Sequence, residues 1–309
     1  MIEVKNLTRK FGDVVAVNHF SFRVEKNEVV ALLGLNGAGK TTTLRMLTGY
    51  LSPTEGSITI DGFSSESDPL EIKKRIGYLP EKPAFYPQAT VREFLTYFYR
   101  LRKNTRDNET DAVQLAMEKT DLTDRADQKV GTLSAGYKKR VGIAQAIVHS
   151  PKILILDEPI TDLDPLQIVE IRELIKELKK EHTILLSSHI LSEVGQVADR
   201  YLFLREGVLV AEETQQSLHD KVHSVQKYKL KVEAKKEPID LYEKLKEVAI
   251  SVESKALENN VYEFILEAKE DIRPKVGKFV LESAYNLLAL ETEGQDLEKY
   301  FLQITSNAS

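Results

Sequence analysis

Apolar and polar positions alternate along the first thirty residues, in runs such as IEVKNL and FSFRV separated by the turn-forming stretches FGD and EKNE. A period of two is typical of strands with one buried face, so this region predicts an antiparallel β-layer. The apolar run VVALLG at 29–34 is continuous instead. It predicts a strand buried on both faces, as in a parallel sheet. SITIDG at 57–62 and RIGYLP at 75–80 predict two further short strands.

The apolar pattern changes to a helical period between residues 86 and 150, which predicts a helical subdomain. Strand-like and helix-like segments then alternate. KILILDEP and TILLSSH predict strands, LQIVEIRELIKELKKE and ILSEVGQVAD predict helices, and RYLFLREGVLVAEE predicts a hairpin that turns at Glu206 and Gly207. Such alternation indicates an α/β fold with a mainly parallel sheet and helices on both faces.

The composition changes near residue 220, and the remaining segments follow a different order. They predict strand, helix, two strands, helix and strand, followed by a last helix in DLEKYFLQI. The β-α-β-β-α-β order is that of a small ferredoxin-like α+β domain. We therefore expect two domains, at 1–220 and 221–309.

Composition excludes several classes of protein. The 309 residues include no cysteine, which excludes disulfides, thiolate metal sites and a cysteine nucleophile. The formal net charge is -5, whereas a general nucleic-acid binder is more often basic. No apolar run approaches the roughly 20 residues that span a bilayer, and the N-terminus has no signal-peptide core. We expect a soluble chain that reaches a membrane only through a partner.

The stretch GLNGAGKTT matches the phosphate-loop pattern G-x-x-x-x-G-K-[ST] between a predicted strand and a predicted helix. Its glycines allow backbone N–H groups to turn towards phosphate oxygens, and the following helix adds its positive N-terminal end. Lys40 would contact the β- and γ-phosphates, and the Thr41 hydroxyl would reach Mg²⁺. The predicted nucleotide-binding residues here are Gly34, Leu35, Asn36, Gly37, Ala38, Gly39, Lys40, Thr41 and Thr42.

Two acids follow the apolar strand of ILILDEP. Buried acids need a cation or a hydrogen-bond donor, so Asp157 is predicted to hold Mg²⁺ directly or through water. Glu158 would orient or deprotonate an attacking water and is predicted to be catalytic. The alternative is a pair of acids that cap a strand end in solvent.

The phosphate loop, LSAGY, LDEP, LDP at 163–165 and SSH at 187–189 occur in the order found in ATP-binding-cassette (ABC) ATPases. The chain resembles that family over about residues 1–215. The resemblance implies a cassette that binds ATP and Mg²⁺ and pairs with a second cassette. Each ATP would lie between the phosphate loop of one subunit and the Leu-Ser-Gly-Gly-Gln turn of the other.

The resemblance assigns further roles by motif. Ser134 and Gly136 would face the partner's γ-phosphate, and Asp164 would organise the subunit contact. Phe11 would stack on adenine, and His189 would contact the γ-phosphate and steady the attacking water. Two alternatives remain open: Ser134 as an ordinary helix N-cap, and Phe11 as a core side chain of the β-layer.

Four positions depart from the family pattern. The counterpart of the Leu-Ser-Gly-Gly-Gln turn in this chain is LSAGY at 133–137, called the signature turn below, and it differs at Ala135 and Tyr137. Asp162 adds an acid before Asp164. Glu81 stands where many cassettes have a glutamine that contacts Mg²⁺ and the attacking water. We expect Glu81 to be a functional metal-site substitution, and a Pro-Glu here resembles the subgroup of drug, bacteriocin and motility-associated exporters.

The resemblance implies an ATPase subunit that drives transport, in the direction of export, through a separate transmembrane permease. It would lie peripherally at the cytoplasmic face of the cell membrane. The second cassette would be an identical copy or a paralogue. The aromatic loop around Tyr86 would receive the permease, or pack locally. Two other classes remain open: a soluble ATPase acting on nucleic acid or ribosomes, and a nucleotide-sensing module with little turnover.

Overall fold

A computed structural model describes residues 1–102, 108–223, 226–283, 285–293, 300, 301 and 304. The contact pattern divides the chain into two compact units, the first comprising Met1–Gln215 and the second beginning at Gln216. Each unit has its own buried apolar cluster. None of the helices in the described part of the chain is long and apolar enough to cross a bilayer.

Strands of the first unit form two sheets. They are β1 (Ile2–Phe11), β2 (Val14–Val24), β3 (Val29–Leu33), β4 (Glu55–Ile60), β5 (Phe63–Ser64), β6 (Ile76–Leu79), β7 (Ile153–Leu156), β8 (Thr183–Ser188), β9 (Arg200–Arg205) and β10 (Val208–Thr214). The first sheet has the order β2-β1-β4-β5 and is antiparallel throughout, which confirms the predicted β-layer.

The second sheet has the order β10-β9-β3-β8-β7-β6. All of its pairings are parallel except that of β9 with β10, which form the hairpin predicted around Glu206 and Gly207. Every residue of β3, β6, β7 and β8 is buried, as the continuous apolar runs of β3 and β7 predict for strands inside a parallel sheet. The mainly parallel sheet is therefore confirmed.

Helices connect these strands, and the last helix named here extends from Gln215 into the second unit. They are α1 (Lys40–Leu47), α2 (Pro69–Arg75), α3 (Val91–Arg102), α4 (Glu109–Lys119), α5 (Ala135–Ile147), α6 (Pro165–Lys179), α7 (Leu191–Val194) and α8 (Gln215–His223). The predicted helical subdomain thus contains α3, α4 and α5, with short 3₁₀ turns at Thr123–Arg125 and Val130–Thr132.

Two helices differ from the sequence prediction. The periodicity did not identify α2, although Pro69 at its start and the ion pair of Glu71 with Arg75 one turn later are ordinary helix signals. The helix predicted over ILSEVGQVAD is too long, because α7 ends at Val194, before Gly195. Glycine costs about 1 kcal/mol in a helix interior, which favours termination there.

In its described residues from Gln226 onwards, the second unit contains a four-stranded antiparallel sheet with one helix after its first strand and another after its third. Its elements are β11 (Gln226–Glu233), α9 (Ile239–Val248), β12 (Ser251–Ala256), β13 (Val261–Ala268), α10 (Arg273–Glu282) and β14 (Asn286–Glu293), and the sheet order is β12-β13-β11-β14. Asn259 and Asn260 both adopt positive φ in the β12–β13 turn. The last predicted helix, in DLEKYFLQI, lies largely outside the described residues.

Candidate functional site

The phosphate loop runs from the buried strand β3 into α1. Gly37 and Gly39 have φ values of 85° and 102°, a conformation that side-chain-bearing residues rarely adopt. A Cβ on Gly39 would lie 2.5 Å from the Ala16 carbonyl oxygen, so glycine is also required sterically. Gly39 caps α1 without a side-chain hydrogen bond, and the first turn has no acidic residue. The N–H groups of this helix end are therefore suited to an anion.

Lys40 is buried at the start of α1. Its Nζ donates to the Gly34 carbonyl oxygen at 2.7 Å and lies 3.4 Å from Oε1 of Glu158. These contacts hold the ammonium group between the phosphate loop and the acid that follows β7. A cation at that position can neutralise phosphate oxygens on one side and the glutamate on the other.

Asp157 is fully buried at the carboxyl end of β7. Its Oδ1 accepts hydrogen bonds from the Ser187 hydroxyl at 2.7 Å and the Thr41 hydroxyl at 3.3 Å. Its Oδ2 is buried without a hydrogen-bond partner. Burial raises the pKa of Asp157, and the charges of Glu158 and Glu81 act in the same direction. An unpartnered buried carboxylate oxygen beside a threonine hydroxyl fits a hard cation such as Mg²⁺.

Glu158 adopts a φ of 50°, which is rare for a residue with a long side chain. Its backbone N–H donates to Ser187 Oγ at 2.9 Å. Its Oε2 accepts from the Thr161 hydroxyl at 2.8 Å and lies 3.0 Å from Nδ1 of His189. Burial raises the pKa of Glu158, but these hydrogen bonds and the Lys40 charge outweigh burial and lower it overall. The side chain is thus an ionised acceptor at neutral pH.

These residues border an open cleft of about 580 Å³, a size typical of ligand sites. It is lined by Ala16, Asn36, Gly37, Ala38, Gly39, Lys40, Thr41, Thr42, Glu81, Lys82, Glu158, Thr161, Asp162 and His189. The structure therefore places most of the predicted phosphate loop, Glu81, Glu158 and His189 around one cavity. Asp157 adjoins it through Thr41.

A second surface carries the remaining predicted residues Ser134, Gly136 and Asp164. Ser134 caps α5, and Asp164 caps α6 with a hydrogen bond from the Gln167 N–H at 2.9 Å. A Cβ on Gly136 would lie 2.7 Å from the Gln167 side chain, so the two helix ends are in close contact. They border a separate hollow of about 190 Å³. One chain alone thus does not bring the signature turn to its own phosphate loop.

Phe11 lies at the end of β1 and is 45% exposed, so it is not a core side chain. It pairs with Val14 across the hairpin, two residues before Ala16 of the cleft lining. The Arg9 guanidinium lies 4.5 Å from the centre of its ring. The Phe11 ring is therefore not packed into the apolar core. Phe11 is also not one of the residues that line the cleft.

Three further residues hold the site together and were not identified from the sequence. Ser187 joins Asp157 to the Glu158 backbone, and Thr161 binds the Glu158 carboxylate. Lys139 of α5 donates to the Glu158 carbonyl oxygen at 2.9 Å. Ser187 lies inside the SSH stretch, where a hydroxyl at the carboxyl end of a strand is a usable signal. Nothing in the local pattern identifies Thr161 or Lys139.

Among the described residues, no group of three or more histidine, aspartate or glutamate side chains could hold a metal alone. In nucleotide sites, Mg²⁺ is usually coordinated by one or two carboxylates together with phosphates of the substrate. Thr41 and Asp157 would supply the protein ligands, and the cleft leaves room for a nucleotide beside them.

Comparison with known proteins supports the same assignment. The family model described as ABC transporter matches residues 17–161. The bacitracin transport ATP-binding protein BcrA of Bacillus licheniformis is 42% identical over 214 residues, covering 69% of each chain. The chain belongs to the ATP-binding proteins of ABC transporters. The predicted family, fold and ATPase activity are thereby confirmed.

Similarity to this family extends over nearly the whole chain in some relatives and over about seven-tenths of it in solved structures. The linearmycin resistance ATP-binding protein LnrL of Bacillus subtilis is 31% identical and covers 99% of this chain and 98% of its own. The dimeric bacterial ABC transporter cassette MJ0796 superposes with a TM-score of 0.63 at 25% identity, covering 70% of this chain and 99% of the other. ABC ATP-binding proteins bind ATP and hydrolyse it to drive transport.

Proposed function

We propose that this ABC ATP-binding protein works as one of two cassettes that close around Mg²⁺-ATP and drive export through a separate permease. The observation that carries the proposal is the separation of two half-sites on one chain. The nucleotide cleft contains Lys40 and Glu158, whereas the signature turn at Ser134 and Gly136 borders a different hollow. A second cassette is needed to bring the two kinds of half-site together.

Mg²⁺ is the metal that the cleft fits. Thr41 and the unpartnered Oδ2 of Asp157 would hold it, with the remaining ligands supplied by phosphates and water. When bound there by Thr41 and Asp157, Mg²⁺ would supply positive charge beside the phosphates of the nucleotide. Glu81 also lines the cleft and is proposed to approach the same cation.

Glu158 is proposed as the residue that orients and deprotonates the attacking water. Its carboxylate is held ionised by Lys40, Thr161 and His189, which is the state a general base requires. His189 is proposed to hold that carboxylate and contact the γ-phosphate. The phosphate loop from Gly34 to Thr42 would bind the triphosphate, and Phe11 would stack on the base.

Dimerisation follows from the second half-site. The N-terminal end of α5 exposes Ser134 and backbone N–H groups, and Asp164 caps α6 beside it. Neither helix has an acid in its first turn. This surface is suited to the γ-phosphate of a nucleotide bound by the partner. The partner would be a second copy or a paralogue.

Export through a permease is proposed from the relatives and from one exposed loop. BcrA is described as a bacitracin transport protein and LnrL as a linearmycin resistance protein, and both descriptions are consistent with export. Tyr86 and Tyr97 are 53% and 44% exposed and contact each other edge to face, 5.5 Å between ring centres. Phe85 packs on Phe94 beneath them, so the loop is both locally packed and partly exposed.

Exposed aromatics at this loop suit an interface with a membrane subunit. The cassette would therefore lie at the cytoplasmic face of the membrane and contact it only through that subunit. The second unit, from Gln216 onwards, is proposed as an accessory domain of the same assembly, because LnrL shares it.

The decisive experiment is the mass of Glu158→Gln in solution, with and without Mg²⁺-ATP. Loss of the base should stop turnover while ATP still binds, so a dimer should appear only with nucleotide. Glu158→Gln combined with Ser134→Arg is the control, since a bulky cation at the signature turn should block closure. A dimer that also forms without nucleotide, or turnover that survives in Glu158→Gln, would contradict the proposed mechanism.

A further inference from the structure

Lys139 connects the signature helix to the catalytic loop. It lies on α5, five residues after Ser134, and its side chain is half-buried. Its Nζ donates to the carbonyl oxygen of Glu158 at 2.9 Å. Glu158 is the residue held at a φ of 50°, so the contact fixes a strained backbone position in the acid proposed as the base.

The electrostatic environment of Lys139 is acidic. Burial lowers the pKa of Lys139, while the charges of Asp162, Glu158, Glu81 and Asp157 favour its protonated form. Glu81, Glu158 and Asp162 all line the nucleotide cleft. A cleft bordered by this many acids repels a triphosphate unless a nearby cation offsets part of their charge.

α5 is also held firmly against the strand that leads to Glu81. A Cβ on Gly142 would lie 2.6 Å from the Leu79 side chain, and a Cβ on Gly77 would lie 2.0 Å from the Ala146 carbonyl oxygen. Lys139 therefore extends from a helix that packs closely, at Ala146, against Gly77 of β6, the strand that precedes Glu81. Its ammonium group is held at the carbonyl oxygen of Glu158, a residue that lines the cleft.

We propose that Lys139 is a positioning residue of the ATPase site, which offsets the charge of Glu81 for nucleotide binding and holds the Glu158 loop in place. It thereby links the turn that faces the partner's ATP to the chain's own catalytic loop. This inference rests on the proposed function of the cleft. It assigns a role to a residue outside the phosphate-binding and acidic motifs.

The test measures the affinity of a fluorescent ATP analogue in EDTA, so that neither metal nor turnover contributes. Lys139→Met should weaken binding about three- to tenfold, since it removes one positive charge from beside the cleft. Glu81→Gln in the same chain should restore the affinity, because the double variant has the net charge of the parent. Lys138→Met, the neighbouring lysine of the same helix, is the matched control and should bind normally.

Turnover and melting temperature separate positioning from simple stabilisation. Lys139→Met should lower kcat with Mg²⁺-ATP about tenfold, and Lys139→Arg, which keeps the charge and a donor, should recover most of it. Parent-like affinity in Lys139→Met, or a double variant no better than the single one, would overturn the charge role. A kcat loss that merely follows a lower melting temperature in Met and Arg alike would overturn the positioning role. If Glu158→Gln also turned over normally, the proposed function itself would fail.

Discussion

Nδ1 of His189 lies 3.0 Å from Oε2 of Glu158, and that oxygen also accepts a hydrogen bond from Thr161 at 2.8 Å. The two residues come from different strands of the parallel sheet, because Glu158 follows β7 and His189 follows β8. Adjacent parallel strands end at the same edge, which explains why acids and histidine meet there. The histidine is therefore placed to fix one oxygen of the proposed base.

His189→Ala should lower kcat about a hundredfold, the usual size of a lost acid–base or orienting group, with little change in ATP affinity. Lys40 and the phosphate loop remain to bind the nucleotide. Phosphate release and fluorescence titration measure the two quantities. His19→Ala, an exposed histidine of β2, is the matched control. A kcat within threefold of the parent would contradict the role of His189.

Ser187→Ala should destabilise the fold and weaken Mg²⁺ binding together. The Ser187 hydroxyl donates to Asp157 Oδ1 and accepts the Glu158 N–H. Its loss removes the acceptor of that buried N–H and leaves Asp157 Oδ1 with only the longer hydrogen bond from Thr41. The expected cost is about 1–3 kcal/mol in the free energy of unfolding, measured with urea. The Mg²⁺ concentration for half-maximal turnover should rise. Ser188→Ala, the next residue of β8, serves as the control, and an equal Mg²⁺ response in both would argue against the Ser187 role.

Two glycines of α5 and its neighbouring strand should respond differently to alanine. A Cβ on Gly77 would lie 2.0 Å from the Ala146 carbonyl oxygen, whereas a Cβ on Gly136 meets only the end of the flexible Gln167 side chain. Gly77→Ala should cost about 2–3 kcal/mol in the free energy of unfolding by overpacking. Gly136→Ala should leave the urea midpoint nearly unchanged but weaken nucleotide-dependent dimerisation. Equal destabilisation of the two variants would refute this distinction.

Continuous apolar runs predicted the buried strands β3 and β7 well, because both are buried on both faces and contain no polar residue. The phosphate loop and the acids of LDEP could likewise be identified from local spacing. The contact of Lys139 could not, since it depends on which elements the fold brings together. Nineteen residues separate Lys139 from the carbonyl oxygen that it binds.

The sequence predicted the helices of the helical subdomain, but it did not predict correctly which residues form their buried faces, because packing decides that. The helical period of the sequence places Leu101 and Leu115 on the apolar faces of α3 and α4, but their side chains are 57% and 46% exposed. In α4 the buried side is formed by Val113 and Met117 together with Ala112 and Ala116. An apolar residue on a helix surface is common, so a single sequence does not distinguish such a position from the core.

The free energy of unfolding should fall in mild acid because of His149. Burial, with a smaller contribution from the Arg102 charge, lowers the pKa of His149 to about 4, and its Nε2 lies 3.1 Å from the Ile76 carbonyl oxygen. The folded ring is thus neutral, whereas the unfolded chain takes up a proton below about pH 6.5. Stability from this group is complete above that pH and is lost as the pH falls towards 4. At pH 5 the loss is about 2 kcal/mol.

The variant His149→Gln isolates this contribution, because its amide can still donate to the Ile76 carbonyl oxygen but does not titrate. Urea unfolding at pH 7.5 and pH 5.0 gives the change in stability for each protein. The parent should lose about 2 kcal/mol more than the variant between the two pH values. His182, whose pKa burial also lowers, is present in both and cancels in the comparison. An identical pH dependence in the two proteins would show that His149 is protonated alike in the folded and unfolded chains.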